Sequence, residues 1–156
     1  MLPICVPYTN LQPITAWLLK PYKAEFILLD EHYTYKDYFK DMWQTHINTG
    51  FINIEHDTIF WPGALEALWD CPEHWCAYGY NQQDKFWNEL ATKTVYLGCT
   101  KFSSELISQT PKLPQQLPDQ WLGIDTPLTQ LLKDANFRPH QHYPAVINAN
   151  PVLYHA

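Results

Sequence analysis

The chain of 156 residues is long enough for one domain with a real core and too short for two comfortable ones, and its 46% hydrophobic and 15% aromatic content excludes a disordered polymer. A formal net charge of −6, with 10 Lys plus Arg against 16 Asp plus Glu, excludes the basic footprint of a duplex-binding protein. The sole arginine is Arg138, so phosphates would have to be held by a metal ion or by backbone N–H groups rather than by arginine forks.

The N-terminus carries no basic segment and is broken by Pro3, Pro7 and Pro13, so it does not read as a signal peptide. With no apolar run of membrane-spanning length, a cytoplasmic chain is expected. The four cysteines, Cys5, Cys71, Cys76 and Cys99, form no C-x-x-C pair and read as free thiols.

In chain order, residues 2–8 (LPICVPY) predict a short buried strand. Residues 10–22 predict a helix, with Ile14, Trp17 and Leu18 on one face, Asn10 as cap and Pro21 as stop. Phe26 to Leu29 is a continuous apolar run ending in Asp30, the pattern of a strand buried on both faces. Residues 34–48 predict a second helix, closed by Gly50. Phe51-Ile52-Asn53-Ile54 predicts a third strand, and Pro62 to Trp69 a third helix.

This β-α-β-α-β-α order predicts an α/β fold with a mostly parallel sheet and helices on both faces, in one domain spanning residues 1–156. Further strands are expected at Trp75 to Tyr80, Thr94 to Cys99 and Pro139 to Asn148. Residues 81–94 read as a polar loop, Ser103 to Gln109 as a short helix and residues 110–120 as a proline-rich surface loop. Leu122 to Asn136 holds a helix, with Thr126 as cap and Pro127 in its first turn.

Ligands of α/β sheets bind at the carboxyl ends of the strands. The sequence lacks G-x-G-x-x-G, the P-loop and G-x-S-x-G, which argues against a dinucleotide site, a P-loop NTPase and an α/β-hydrolase. Its strand ends are acidic instead: Asp30, then Glu55 and Asp57. Two alternating carboxylates suit a hard divalent cation, and they equally suit a turn before the Pro62 helix. His140 and His142 alternate late in the chain, where they would add imidazole ligands to such an ion or simply face solvent. Asp125 precedes a Thr-Pro helix start, as a catalytic base or as a partner for the helix terminus.

These segments together resemble a GT-A glycosyltransferase, in particular its family 2-like and galactosyltransferase-like members. The resemblance rests on "CVPYTN", "EHD" in the place of a D-x-D motif, "LGCTKFSSEL", "GIDTPLTQLLKDANFRP" and the final histidine pair. It covers nearly the whole chain in order, and it implies a minimal, phage-type enzyme in a host cytoplasm.

The resemblance implies that Pro7, Tyr8 and Thr9 border the nucleotide and that Asp30 meets the base or ribose. Glu55 would reach the ribose or the metal. Asp57, with His140 or His142, would hold Mn²⁺ or Mg²⁺ across the diphosphate. Asp125 would deprotonate the acceptor hydroxyl with inversion. The implied donor is a UDP-sugar, UDP-glucose or UDP-galactose. Trp61, Trp75, Tyr78, Tyr80 and Trp121 are candidates for stacking on its rings, or for the core.

Three departures stand against this pattern. Thr9 replaces an arginine, Glu55 replaces the first aspartate, and Ile124 stands where the motif has an acid. The alternatives are a nucleotide-sugar-binding relic without turnover, or a small module built on a structural zinc at Cys71, His74 and Cys76 with His140 or His142.

Overall fold

A computed structural model describes residues 1–80, 95–120 and 123–149, with the side chain of Tyr80 left out. The expected loop at 81–94 and the proposed stacking residue Trp121 therefore lie outside the described residues, as does the Tyr80 ring. Among the described residues, seven strands form one sheet in the order β2-β1-β3-β6-β5-β7-β4. They are β1 (Ile4–Tyr8), β2 (Ala24–Leu28), β3 (Phe51–Ile54), β4 (Thr58–Ile59), β5 (Trp75–Tyr80), β6 (Cys99–Phe102) and β7 (His140–Asn148). The helices are α1 (Pro13–Leu18), α2 (Tyr35–Thr45), α3 (Ala64–Asp70), α4 (Ser104–Gln109) and α5 (Asp125–Asp134), with a 3-10 turn at Leu113–Gln116.

The fold class is the expected α/β one, and the sheet is mixed. β1 pairs in parallel with β2 and β3, and β5 with β7. β6 runs antiparallel to both β3 and β5, and β4 antiparallel to β7. The two antiparallel steps through β6 restore the direction, so β5 and β7 point the same way as β1 and β3.

Alternation along the strands divides the core in two. One face buries Cys5, Phe51, Trp75, Ala77 and Phe102 under α2, α4 and α5, whose contributions include Tyr38, Phe39, Trp43, Leu106 and Leu128. The other buries Ile4, Val6, Ile52, Ile54, Cys76, Tyr78 and Cys99 under Leu19 and the α3 residues Leu65 and Leu68. Trp43 contacts Phe39, Phe51 and Phe102, and its Nε1–H donates to the Thr110 carbonyl at 3.0 Å. Trp75 and Tyr78 are core residues, 1% and 3% exposed, and not an open stacking surface.

Several local readings change. β2 is an edge strand paired only with β1, so Phe26 and Leu28 are 41% and 53% exposed rather than buried on both faces. α1 starts at Pro13 after Gln12, and Asn10 lies outside it. α2 begins with a reciprocal capping box between Thr34 and Asp37. Gly50 closes the turn after it at φ 76°, where a Cβ would come within 2.6 Å of the Phe102 carbonyl oxygen. α5 starts at Asp125, two residues before Pro127, so Thr126 is not its cap. Asn136 does end the helix region in the left-handed conformation, φ 70°.

The apolar run at 95–98 is not a strand; the strand begins at Cys99 and takes in Thr100 to Phe102. The proline-rich segment 110–120 contains the 3-10 turn and buries Leu113 and Leu117. The four cysteines are free and buried. No helix among the described residues is long and apolar enough to cross a membrane.

Candidate functional site

The candidate site lies at the carboxyl ends of β1 and β3 and at the start of α5. β1 delivers Tyr8 and then Thr9 and Asn10 as it leaves the sheet. β3 delivers Glu55, His56 and Asp57 in the turn before β4. The imidazole of His56, which has no assigned role in the sequence reading above, ties the two together. Its Nδ1 accepts the backbone N–H of Thr9 at 3.0 Å and of Asn10 at 3.3 Å. The proton of the neutral ring therefore sits on Nε2, which lies 3.9 Å from Asp57 Oδ2.

His56→Ala is expected to cost about 0.5–1.5 kcal/mol for each bond lost. It should also raise hydrogen exchange at the Thr9 and Asn10 amides. Unchanged protection of those two amides would show that His56 does not fix this loop.

Glu55 is held from below by a polar chain. Tyr35 Oη donates to Glu55 Oε2 at 2.9 Å and accepts from Asn53 Nδ2 at 3.2 Å. Tyr38 Oη donates to Asn53 Oδ1 at 2.6 Å. Burial, chiefly, pushes both tyrosines well above the ordinary phenol range, which favours the protonated, donating form. Asn53, fully buried in a strand of apolar neighbours, is the node of this chain.

Asp57 is 6% exposed. Its Oδ2 accepts Asn148 Nδ2 at 2.9 Å, and its backbone carbonyl accepts the N–H of Ala149 at 2.6 Å. A late strand does return to the early acidic cluster, but the residue it brings there is Asn148.

His140 and His142 sit at the start of β7, the opposite end from Asn148. Residues 143–147 intervene, so His142 and Asn148 are on the order of 20 Å apart along an extended strand. The structure does not bring either histidine to Asp57; it places both beside Cys71 and Cys76. Among the described residues, no three His, Cys, Asp or Glu ligand atoms converge within 4.8 Å at the carboxylate edge. Glu55 and Asp57 are the carboxylates this edge would offer a cation, and carboxylate oxygens are the donors a hard divalent ion takes.

Asp125 is joined to the β3 end through the segment 95–98. Its Oδ2 accepts the N–H of Leu97 at 3.1 Å. The Leu97 carbonyl accepts Asn53 Nδ2 at 2.7 Å, and the Gly98 carbonyl accepts both the Glu55 N–H and Thr58 Oγ1, each at 3.0 Å. Val95 N–H donates to Thr129 Oγ1 at 2.8 Å. These side-chain partners explain why 95–98 is not a strand. Burial raises the Asp125 carboxyl above its ordinary value, opposed by the N–H groups of Leu97 and of Asp125 itself. The carboxylates of Glu55 and Asp125 both act on the Tyr35 hydroxyl.

Asp30 is exposed at the end of β2, and its Oδ1 accepts the N–H groups of His32 and Tyr33 at 2.7 and 2.9 Å. Pro7 is buried in β1, Tyr8 is half-buried and Thr9 is exposed. Trp61 Nε1–H donates to the Ala145 carbonyl at 2.8 Å, which ties it to β7.

No protein-family model matches the chain, and the search of curated proteins finds no match. Among solved structures the chain is similar to A197 from STIV, at 12% identity and a TM-score of 0.57, over 94% of this chain and 83% of that one. It is also similar to a proposed nucleotide-diphospho-sugar transferase from Desulfovibrio desulfuricans G20, at 13% identity and a TM-score of 0.50. That alignment covers 97% of this chain and 65% of the other, so the chain spans about two thirds of that protein's length. At these identities the likeness is one of fold alone: the described residues form an α/β unit around a mixed seven-stranded sheet.

Proposed function

We propose that the protein is a glycosyltransferase that takes a sugar from a nucleotide-sugar donor, a UDP-sugar, and delivers it to an acceptor hydroxyl with inversion. The observation that supports this reading is the segment 95–98, where Leu97 and Gly98 connect the β3 end, with Glu55 and Asp57 in the turn after it, to Asp125 at the start of α5. The fold is similar to that of a proposed nucleotide-diphospho-sugar transferase.

In this reading Thr9 and its neighbours Pro7 and Tyr8 border the nucleotide, with the backbone fixed by His56. Asp30 lies at the adjacent strand end, where a base or ribose would rest. Glu55 and Asp57 would hold Mn²⁺ or Mg²⁺. A divalent ion bound there supplies positive charge against the departing diphosphate, which one arginine in the whole chain cannot do. Asp125 accepts the proton of the attacking hydroxyl. Its raised carboxyl value brings it closer to neutrality, which suits a general base. The low number of cationic side chains supports a metal-assisted rather than an arginine-assisted site.

A panel of nucleotide sugars tests the proposal. With Mn²⁺ present, at least one UDP-sugar is expected to raise the melting temperature and to release UDP. Absence of both effects across the panel would dismiss the reading.

A second reading, binding without turnover, is favoured by one observation. Ile124 is fully buried, 0% exposed, so nothing at that position stands in for the acid of the resembling motif. Donor stabilisation without UDP release would select it.

A further inference from the structure

We propose that Cys71, Cys76, His140 and His142 form a structural zinc site that clips β7 to β5 and to the chain leaving α3. The four ligand atoms, two Sγ and two imidazole nitrogens, all lie within 4.8 Å of one another. Cys71 Sγ is 2.9 Å from Cys76 Sγ and 3.2 Å from His140 Nδ1. In a tetrahedral zinc site with Zn–S of about 2.3 Å and Zn–N of about 2.0–2.1 Å, neighbouring ligand atoms stand roughly 3.3–3.8 Å apart. Shifts of about an ångström or less therefore bring these four onto one ion.

The sheet explains the convergence. Cys76 stands opposite His140 and Tyr78 opposite His142 in the parallel β5–β7 pair, so alternation puts Cys76 and both histidines on one face. The histidine rings are 4.8 Å apart. Cys71 comes from the turn after α3, and the ammonium of Lys101 donates to its carbonyl, which fixes that turn. Among the described residues His142 Nε2 is buried and has no hydrogen-bond partner, an orphan that a metal ion would satisfy.

The donor set selects the metal. Two thiolates with two imidazoles suit tetrahedral zinc rather than magnesium, calcium or manganese. On binding, each thiol gives its proton to solvent and the two thiolates cancel the ion's charge. His140 is exposed, which provides an entry path, while both cysteines are buried. Cys76 and His140 lie toward the starts of β5 and β7, at the opposite sheet edge from Glu55 and Asp57. The site is therefore structural, and it stands independently of any sugar transfer. His74, the third residue expected from the sequence, is not a ligand: its Nδ1 meets Ser103 Oγ at 2.9 Å and its Nε2 meets Glu105 at 3.3 Å.

The full chain, purified under reductant and stripped of metal, is titrated with Zn²⁺ and with Co²⁺ as a spectroscopic probe. One ion per chain is expected, with the absorption of tetrahedral cobalt, a thiolate-to-cobalt charge-transfer band and a higher melting temperature in zinc. His140→Ala alters the exposed ligand and should fold normally, yet weaken zinc binding at least tenfold. Cys76→Ser should diminish the charge-transfer band, and if it fails to fold, the wild-type spectrum and His140→Ala still decide. The proposal is overturned by a reduced chain that takes up no zinc, by a cobalt adduct without the thiolate band, or by His140→Ala binding zinc as the wild type does. It is equally overturned if Cys71 and Cys76 prove to be a disulfide in the freshly isolated, metal-free protein.

Discussion

Asp125→Asn is expected to leave donor binding intact and to lower sugar transfer by roughly 10²–10⁴-fold, the range for loss of a general base. The substitution keeps the shape, and an amide oxygen still accepts the N–H of Leu97, so the start of α5 should survive. A purely structural role for Asp125 predicts the reverse: a small change in stability and nearly normal turnover. Melting temperature and transfer rate, measured on the same preparation, separate the two, and a stable variant with an unchanged rate removes Asp125 as the base.

The pH dependence of this residue has a definite sign. Burial raises its folded carboxyl value above the unfolded one, so the fold binds the proton more tightly. Its contribution to stability is fully present below the unfolded value and is lost as pH rises through the folded value. Asn cannot ionise, so Asp125→Asn should gain stability relative to wild type over that interval. Transfer by the wild type should rise across the same interval, because only the carboxylate accepts a proton.

Asp57→Asn is expected to lower Mn²⁺-dependent UDP affinity by about two orders of magnitude, near 3 kcal/mol. The residue is 6% exposed and its Oδ2 accepts from Asn148, so charge and packing are separable. Asn keeps an acceptor for Asn148 while removing the anion. Ala removes both, and should cost a further 1–3 kcal/mol, roughly, in folding stability as the acceptor of a buried amide is lost. Calorimetry with UDP, with and without Mn²⁺, reads the first effect, and urea unfolding reads the second. Undiminished metal-dependent affinity in Asp57→Asn would exclude Asp57 as a ligand.

The first half of the chain was the more legible in sequence. Apolar runs ending in Tyr8, Asp30 and Glu55 mark three strands because parallel strands carry unbroken hydrophobic stretches and their ends carry polar groups. The same local pattern does not say which strand is at the edge. β2 looks as buried as β3 in sequence, yet only β3 has neighbours on both sides. Alternation correctly puts His140 and His142 on one face, but which end of β7 they occupy relative to Asp57 depends on register with β5, which is not a local property. Asn148 is not legible as a partner of Asp57, because an asparagine near the end of a strand carries no signal of its own. His74 lies two residues before Cys76, as a co-ligand on a strand would, but β5 begins at Trp75 and leaves His74 in the preceding turn. Asn53 reads as a blemish in an apolar strand; only the two tyrosines of α2 explain it.

The segment 95–98 also bears on how the protein is made. The bonds it forms with Asn53, Thr58, Asp125 and Thr129 close sequence separations of 44, 40, 28 and 34 residues. Contacts of that span form late, because the chain entropy of closing each loop is lost before the contact repays it. A nascent chain synthesised through β4 already contains Glu55 and Asp57, but neither the segment that sews them to α5 nor Asp125 itself. The candidate catalytic arrangement therefore assembles only when the second half of the chain has docked, and an emerging or truncated chain has no partial version of it.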